Sequence, residues 1–374
     1  MNLLFRLWPL TMPRKVWGAV RRRLRGVFDR VLAVGEERLF PLRVRHVSGP
    51  RRVDVGPDEL VVVCLVRDGA AYLAEFLAHY RELGARHVVF LDNGSTDRTV
   101  EVASAEPGVT VLRTRVPYRR IKVIAKRYLT RRFGRGCWVL CVDIDELFDY
   151  PYRSRRPLRA FLGYLRAAGY TAVVAHLLDL FPRGPLRSAG ASWRAEHRFY
   201  DVDAVDRQPY REKYRGANRP HNEDIDVYYG GVREAHFGVR PMLTKHPLQF
   251  PSGGLAYVNS HNVRGARVAD VSAVLLHYKY VSGFVEYARR VAREGGFYAG
   301  SAEYESYVDA LERAPDLGLY SDGARELRAV DQLVDEGFLV ASDAYRAWAS
   351  GGEPRASGGA GRAPRGRRAA AAER

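Results

Sequence analysis

Four short β-rich runs, each separated from the next by a stretch of different periodicity, fill residues 60–142 and constrain the fold more than any other feature of the chain. Leu60 to Val66 (LVVVCLV), His87 to Leu91 (HVVFL), Val109 to Leu112 and Trp138 to Val142 (WVLCV) have the length and apolar content of strands buried on both faces. Between the first two, Tyr72, Leu73, Phe76, Leu77, Tyr80 and Leu83 recur at helical spacing, and Gly84 suits the helix end. A helix through Val102 and a basic helix over roughly 120–132 fill the next two gaps. Strands alternating with helices predict a mostly parallel sheet flanked by helices on both faces. Ligands of such sheets gather at the carboxyl ends of the strands. Three polar clusters fall there: Arg67-Asp68, Asp92 to Asp97, and Asp143 to Glu146.

Beyond Asp149 the pattern is less regular. A helix is expected over 157–168 and strands over 171–180 and 273–280. Residues 182–262, rich in aromatics, His and Arg, read as loops of a substrate-binding half. Helical stretches follow near 284–294, 304–312 and 324–348. The tail from Ser350 is rich in Gly, Ala, Arg and Pro without an apolar period, and is expected to be disordered.

The net charge of +17 is uneven. Residues 1–52 carry +10 and residues 350–374 carry +4, so the body is only mildly basic and specific nucleic-acid binding by it is not expected. Within 14–34, Val16, Val20, Leu24, Val27, Phe28, Val31 and Leu32 form an apolar stripe amid Arg and Lys. Such a helix suits either an anionic membrane surface or docking on the body with its basic face in solvent. The start MNLLFRLWPL lacks the apolar core and cleavage site of a signal peptide, and no apolar run reaches transmembrane length. Cys64, Cys137 and Cys141, two of them in one apolar run, exclude a disulfide framework and point to a reducing, cytoplasmic setting; the membrane-surface reading of 14–34 would place the chain peripherally on the inner face of the membrane.

The chemistry-bearing residues follow from these placements. Asp143 and Asp145 lie two apart beyond a buried strand; if the extended geometry continues, both point to one side and offer a hard oxygen site for Mn²⁺ or Mg²⁺. Such an ion would bridge a diphosphate, which matters because neither Gly-rich phosphate loop, GxGxxG or GxxxxGK, is present. Asp92 is the first polar residue off its strand and can serve a base or ribose, or simply the turn. His277, inside AVLLHYKY, reads as a core histidine or as a third metal ligand, with Lys279 on its face. Lys122 and Lys126, one helical turn apart, can face a diphosphate or solvent. Glu223, Asp224 and Glu234 are acids in the acceptor-side loops, with His221, His236 and His261 as rivals for acid–base work. Glu234 follows Gly230-Gly231, a turn that permits close approach to a ligand. No G-x-S-x-G, H-E-x-x-H or C-x-x-C occurs.

The segment VVVCLVRDGAAYLAEFLAHYRELGARHVVFLDNGSTDRTVEVA resembles the opening of a family 2-type glycosyltransferase, and WVLCVDIDELFDYP is similar to the Asp-x-Asp segment of a bacterial subgroup of that family. GGVREAHFG, LTKHPLQF and VLLHYKY resemble its later blocks. The resemblance, which covers neither end of the chain, implies a GT-A, Rossmann-like fold for a catalytic domain at 53–300, split near 150 into nucleotide-binding and acceptor halves; around it the residues themselves read as a basic segment at 1–52, C-terminal helices at 301–349 and a disordered tail at 350–374. It implies a nucleotide-sugar donor, with a uridine diphosphate sugar favoured, a glycan or glycoconjugate acceptor, a divalent metal and an inverting displacement. Asp92 would then bind the donor base beside Asp68, Asp143 would face ribose or phosphates, and Asp145 would ligate metal with His277; an inverting enzyme also needs a carboxylate base on the acceptor half, for which chain position, not a matching motif, selects Glu234 first and Glu223 second. A sugar nucleotidyltransferase is the enzymatic alternative, and a non-catalytic protein binding RNA or a membrane surface through its basic ends is the third.

Overall fold

The computed structural model describes residues 35–188, 190, 192–294 and 302–353. The stripe at 14–34 and the tail beyond 353 lie outside the described residues.

The alternating segment folds as β2 (Leu60–Val66), α1 (Ala70–Leu83), β3 (His87–Asp92), α2 (Thr99–Ala105), β4 (Val109–Arg113), α3 (Tyr118–Phe133) and β5 (Trp138–Val142), preceded by a short strand β1 (Arg45–Ser48). Then come β6 (Glu146–Asp149), α4 (Leu158–Ala167), β7 (Ala172–Asp179), α5 (Val232–Phe237), β8 (Thr244–Gln249), β9 (Ala273–His277), α6 (Phe284–Glu294), α7 (Ala302–Arg313) and α8 (Asp343–Ala349). The central sheet runs β1-β4-β3-β2-β5-β8-β7. β4, β3, β2 and β5 are mutually parallel; β1 and β8 run against their neighbours. β9 lies parallel to β7 and antiparallel to β6. The molecule is therefore a mixed α/β fold with a largely parallel central sheet and flanking helices, a Rossmann-like arrangement.

Both faces of the sheet are covered because strand residues alternate between them. Leu60, Val62, Cys64 and Val66 join one apolar core with Phe76 and Tyr80 of α1. Val61 and Val63 join the other with Ile121, Ala125 and Leu129 of α3. Gly84 ends α1 in the left-handed conformation, φ 97°, that it alone adopts without strain. The three cysteines are buried and unpaired.

Two expectations fail. β8, TKHPLQ, lies in the middle of the sheet, in a stretch that reads as loop. Its Lys, His and Pro hide the strand, and Pro247 falls where the register with β7 shifts between Lys245 and Leu248, the kind of irregularity that accommodates a residue with no N–H. The helical stretch expected over 324–348 is instead a strand-like pair, Arg325–Glu326, a single turn at Gln332–Asp335 and α8, interrupted at Gly337 with φ 70°.

The strand β6 also carries a testable strain. Asp149 is buried, and burial pushes its carboxyl up to about 6 despite Arg153 at 3.4 Å. A folded-state value above the unfolded one of ~3.9 means the folded chain binds that proton more tightly. Stability from this group therefore grows as pH falls from about 6 toward 4, and the ionised form is the costly one above 6. Asp149→Asn keeps the acceptor for the Tyr150 N–H, 2.8 Å away. We expect it to exceed wild type by roughly 1–3 kcal/mol at pH 7, the gap narrowing at pH 5. Urea unfolding at the two pH values measures this, and a variant weaker at both contradicts it.

Candidate metal centre

The loops after β2, β3 and β5 leave the same end of the sheet. After β5 the chain does not stay extended. Glu146 N–H donates to the Asp143 carbonyl at 3.1 Å, closing a tight turn. Asp143 and Asp145 therefore diverge instead of pointing to one side. Asp145 turns to β9, where its carboxylate lies 3.3 Å from His277 Nε2 and its carbonyl accepts from Tyr278 N–H at 2.8 Å. Asp143 turns to β8 and accepts from Lys245 Nζ at 2.8 Å, with Lys126 Nζ 3.9 Å away. Glu146 is buried; one carboxylate oxygen bonds Lys245 and the other accepts from Asp143 N–H at 3.1 Å.

The group that comes together is thus Asp145, Glu146 and His277, each offering an atom within 4.8 Å of the others. Two carboxylates and an imidazole suit a hard or borderline divalent cation. This buried Asp/Glu/His cluster is able to coordinate a divalent metal. Asp143, expected as a ligand, instead belongs to the lysine side of the site.

A second layer fixes His277. Its Nδ1 bonds Asp179 at the end of β7, and Asp179 accepts from Arg233 Nε of α5 at 2.9 Å. A carboxylate on Nδ1 sets the tautomer that leaves Nε2 for a metal. Burial alone would lower the His277 pKa, but Asp145 and Asp179 on its two sides raise it to about 9, so a metal on Nε2 must displace a proton. Burial would raise the Asp143 and Asp145 carboxyls; Lys245 and Lys126 hold the first well below its usual range, and His277 lowers the second. Burial keeps Glu146 above its ordinary value despite Lys245. From α7, Glu303 stands 3.6 Å from Arg233 and 3.5 Å from Lys279. Burial opposes its ionisation, yet Lys279 and Arg233 bring its pKa down to about 2.

The other expected residues are accounted for as follows. Asp92 is fully buried, and its oxygens accept from Gly94 N–H (3.2 Å), Ser95 N–H (3.0 Å) and Arg113 Nε (2.6 Å). Its carboxylate shapes the loop after β3. Asp68, at φ 52°, accepts from Thr96 N–H at 2.7 Å while Ser95 Oγ accepts from its N–H at 2.9 Å, so the two loops brace each other. Asp97 ties the start of α1 by accepting from Ala70 N–H at 3.0 Å. Lys126 is buried and donates to the Ser260 carbonyl at 2.9 Å. Lys122, half-buried, has its pKa lowered first by burial and then by Lys126.

The structure does not bring the two candidate bases to the cluster. Glu234 receives both its bonds from Arg240, at 3.0 and 2.8 Å, and Glu223 is exposed and paired with Arg211 at 2.7 Å. Gly230 gives room to Glu234 itself: a Cβ there would lie 2.2 Å from its carboxylate. His221 bonds the Val268 carbonyl and His236 is half-buried on α5. His261 feels the charges of Lys245, Lys126 and Asp143, and is kept neutral first by burial and then by the two lysines. Sequence reasoning missed Lys245, Asp179 and Arg233. Asp179 could have been found, since it ends a strand as Asp92 does; Arg233 has no such mark.

No family model matches this chain, and no curated protein matches it. Fold and site together define an α/β protein with a buried cluster able to hold a divalent cation, the equipment of a metal-using enzyme.

Proposed function

We propose that the chain is a metal-dependent, inverting glycosyltransferase of the GT-A, family 2 type, moving a sugar from a nucleotide-diphosphate donor to a glycan or glycoconjugate acceptor. The observation that carries this reading is the place of the cluster. The sheet order reverses at β2 and β5, and the loops bearing Asp68, Asp92 and Asp143–Glu146 leave the carboxyl ends of β2, β3 and β5. A crevice at such a reversal is where open α/β sheets take nucleotides. The family resemblance of those same loops adds the glycosyltransfer.

In this reading Asp145 and His277 hold Mn²⁺ or Mg²⁺, with Glu146 beside them. The bound ion supplies positive charge for the diphosphate leaving group. Lys126 and Lys122, on the α3 side, add cationic charge where a phosphate would lie, and Lys245 holds Asp143 in place. The braced loops of Asp68 and Asp92 form a fixed wall for the nucleoside. The acceptor hydroxyl oxygen bonds the anomeric carbon, the carbon–oxygen bond to the diphosphate breaks with its electron pair leaving on phosphate oxygen, and the hydroxyl proton passes to a base. Of the residues raised for that base, His261 is the one that feels the charges of Lys245 and Asp143.

Incubation of the full chain with a panel of nucleotide sugars, with and without Mn²⁺, tests the proposal by release of nucleoside diphosphate. Release from one donor class that depends on the metal and rises with added glycan acceptor is expected. Release of pyrophosphate from a nucleoside triphosphate and a sugar phosphate would favour a nucleotidyltransferase instead.

A further inference from the structure

Five large hydrophobic side chains are exposed among the described residues, and three of them fall within nine positions: Leu39 (50%), Leu42 (84%) and Val47 (39%). Leu39 and Leu42 belong to the segment that leads into the edge strand β1, and Val47 to β1 itself. The segment is anchored, not loose. Phe40 is buried edge-on to Tyr128 of α3, ring centroids 5.5 Å apart, and Glu37 is clamped by Arg127 at 2.8 Å and Arg131 at 2.6 Å. With Phe40 turned in, its neighbours Leu39 and Leu42 are turned out. Arg38, Arg43, Arg45, Arg51 and Arg52 are exposed around them, and of the two acids in 35–52, Glu37 is already neutralised by α3.

We propose that this face, Arg38 to Arg52, sits on an anionic lipid surface. Exposed aliphatic side chains interleaved with arginines on a firmly folded element are what an interfacial contact requires: the apolar tips enter the headgroup region and the guanidinium groups meet phosphate. The charge continues upstream. Residues 1–34, which join this face at Gly35, hold eight Arg or Lys and a single acid. A protein partner would be expected to meet a broader apolar centre depleted of charge. The inference does not depend on the reaction the protein catalyses, and it places the metal cluster, at the carboxyl ends of the strands, on a body held at the membrane by its β1 edge.

Flotation of the full chain with vesicles tests it, comparing phosphatidylcholine alone with phosphatidylcholine containing about a third phosphatidylglycerol. Wild type is expected to float only with the anionic vesicles. Leu39→Asp/Leu42→Asp, and separately Arg43→Glu/Arg45→Glu, are expected to lower the bound fraction at least about tenfold at equal lipid, with unfolding temperatures unchanged because the altered side chains are exposed. Wild-type binding by both double variants overturns the proposal and leaves the face to the chain's own first 34 residues. A dimer that these variants dissociate, without any change in vesicle binding, overturns it in favour of a second copy. RNA binding lost in the variants without vesicle binding by wild type overturns it as well.

Discussion

Asp145→Asn is expected to keep the fold and to lose metal-supported binding of a nucleoside diphosphate, with turnover down by roughly a thousandfold. The residue stands at the meeting of the two strand ends: its carboxylate faces His277 Nε2 at 3.3 Å, and it leads the group of Asp145, Glu146 and His277 that can share an ion. Asn has nearly the same shape, and Asp179 remains to pair with His277, so little packing is at risk. What is lost is an anionic oxygen on the metal, and the ion's share of transition-state charge stabilisation is worth several kcal/mol, each 1.36 of which is tenfold in rate. Calorimetry of uridine diphosphate binding with and without Mn²⁺, beside a thermal melt, separates the two effects. Unchanged Mn²⁺-supported affinity in the variant would place the site elsewhere.

Lys245→Met is expected to cost about 3–5 kcal/mol of stability at neutral pH. Lys245 is buried on β8 and bonds both Asp143 and Glu146, and those two carboxylates raise its own pKa against the effect of burial. Removing the ammonium leaves the Glu146 carboxyl in the interior with one remaining bond, from Asp143 N–H, so it must either stay charged there or take up a proton, and both cost stability at neutral pH. An isolated buried charge is what makes broken ion pairs expensive, so the loss should shrink when Glu146 is neutralised. Two controls follow. The deficit should fall as pH is lowered toward the carboxylate range, and Lys245→Met/Glu146→Gln should recover most of it. Denaturant unfolding measures all three, and a single variant within about 1 kcal/mol of wild type would show that the pair is not integral to the fold.

The parallel part of the fold was legible because its strands are short, apolar and separated by periodic helices; Leu60–Val66 and Trp138–Val142 are found where the sequence puts them. The antiparallel strand at the centre of the sheet was not, since TKHPLQ carries a buried lysine and histidine whose partners come from distant segments. His246, for example, bonds Tyr210 and the backbone of His261. The same physics governs the site. Asp145 and His277 stand out because each closes an apolar run. The direction of Asp143 could not be read, because it depends on the turn to Glu146 and on a lysine some hundred residues later. Glu234 attracted attention through its glycines, but one of them, Gly230, makes room for its own side chain against Arg240. Chain position places an acid near a loop, and only the fold decides which way it faces.

The most direct test of the central claim is anomalous scattering at the manganese edge from crystals of the wild-type protein grown with Mn²⁺ and uridine diphosphate. The account predicts one strong peak at the carboxyl end of β5, at roughly 2–2.5 Å from an Asp145 carboxylate oxygen and from His277 Nε2. A nucleotide bound in the crevice without a manganese peak there, or a peak held by other residues, would contradict it.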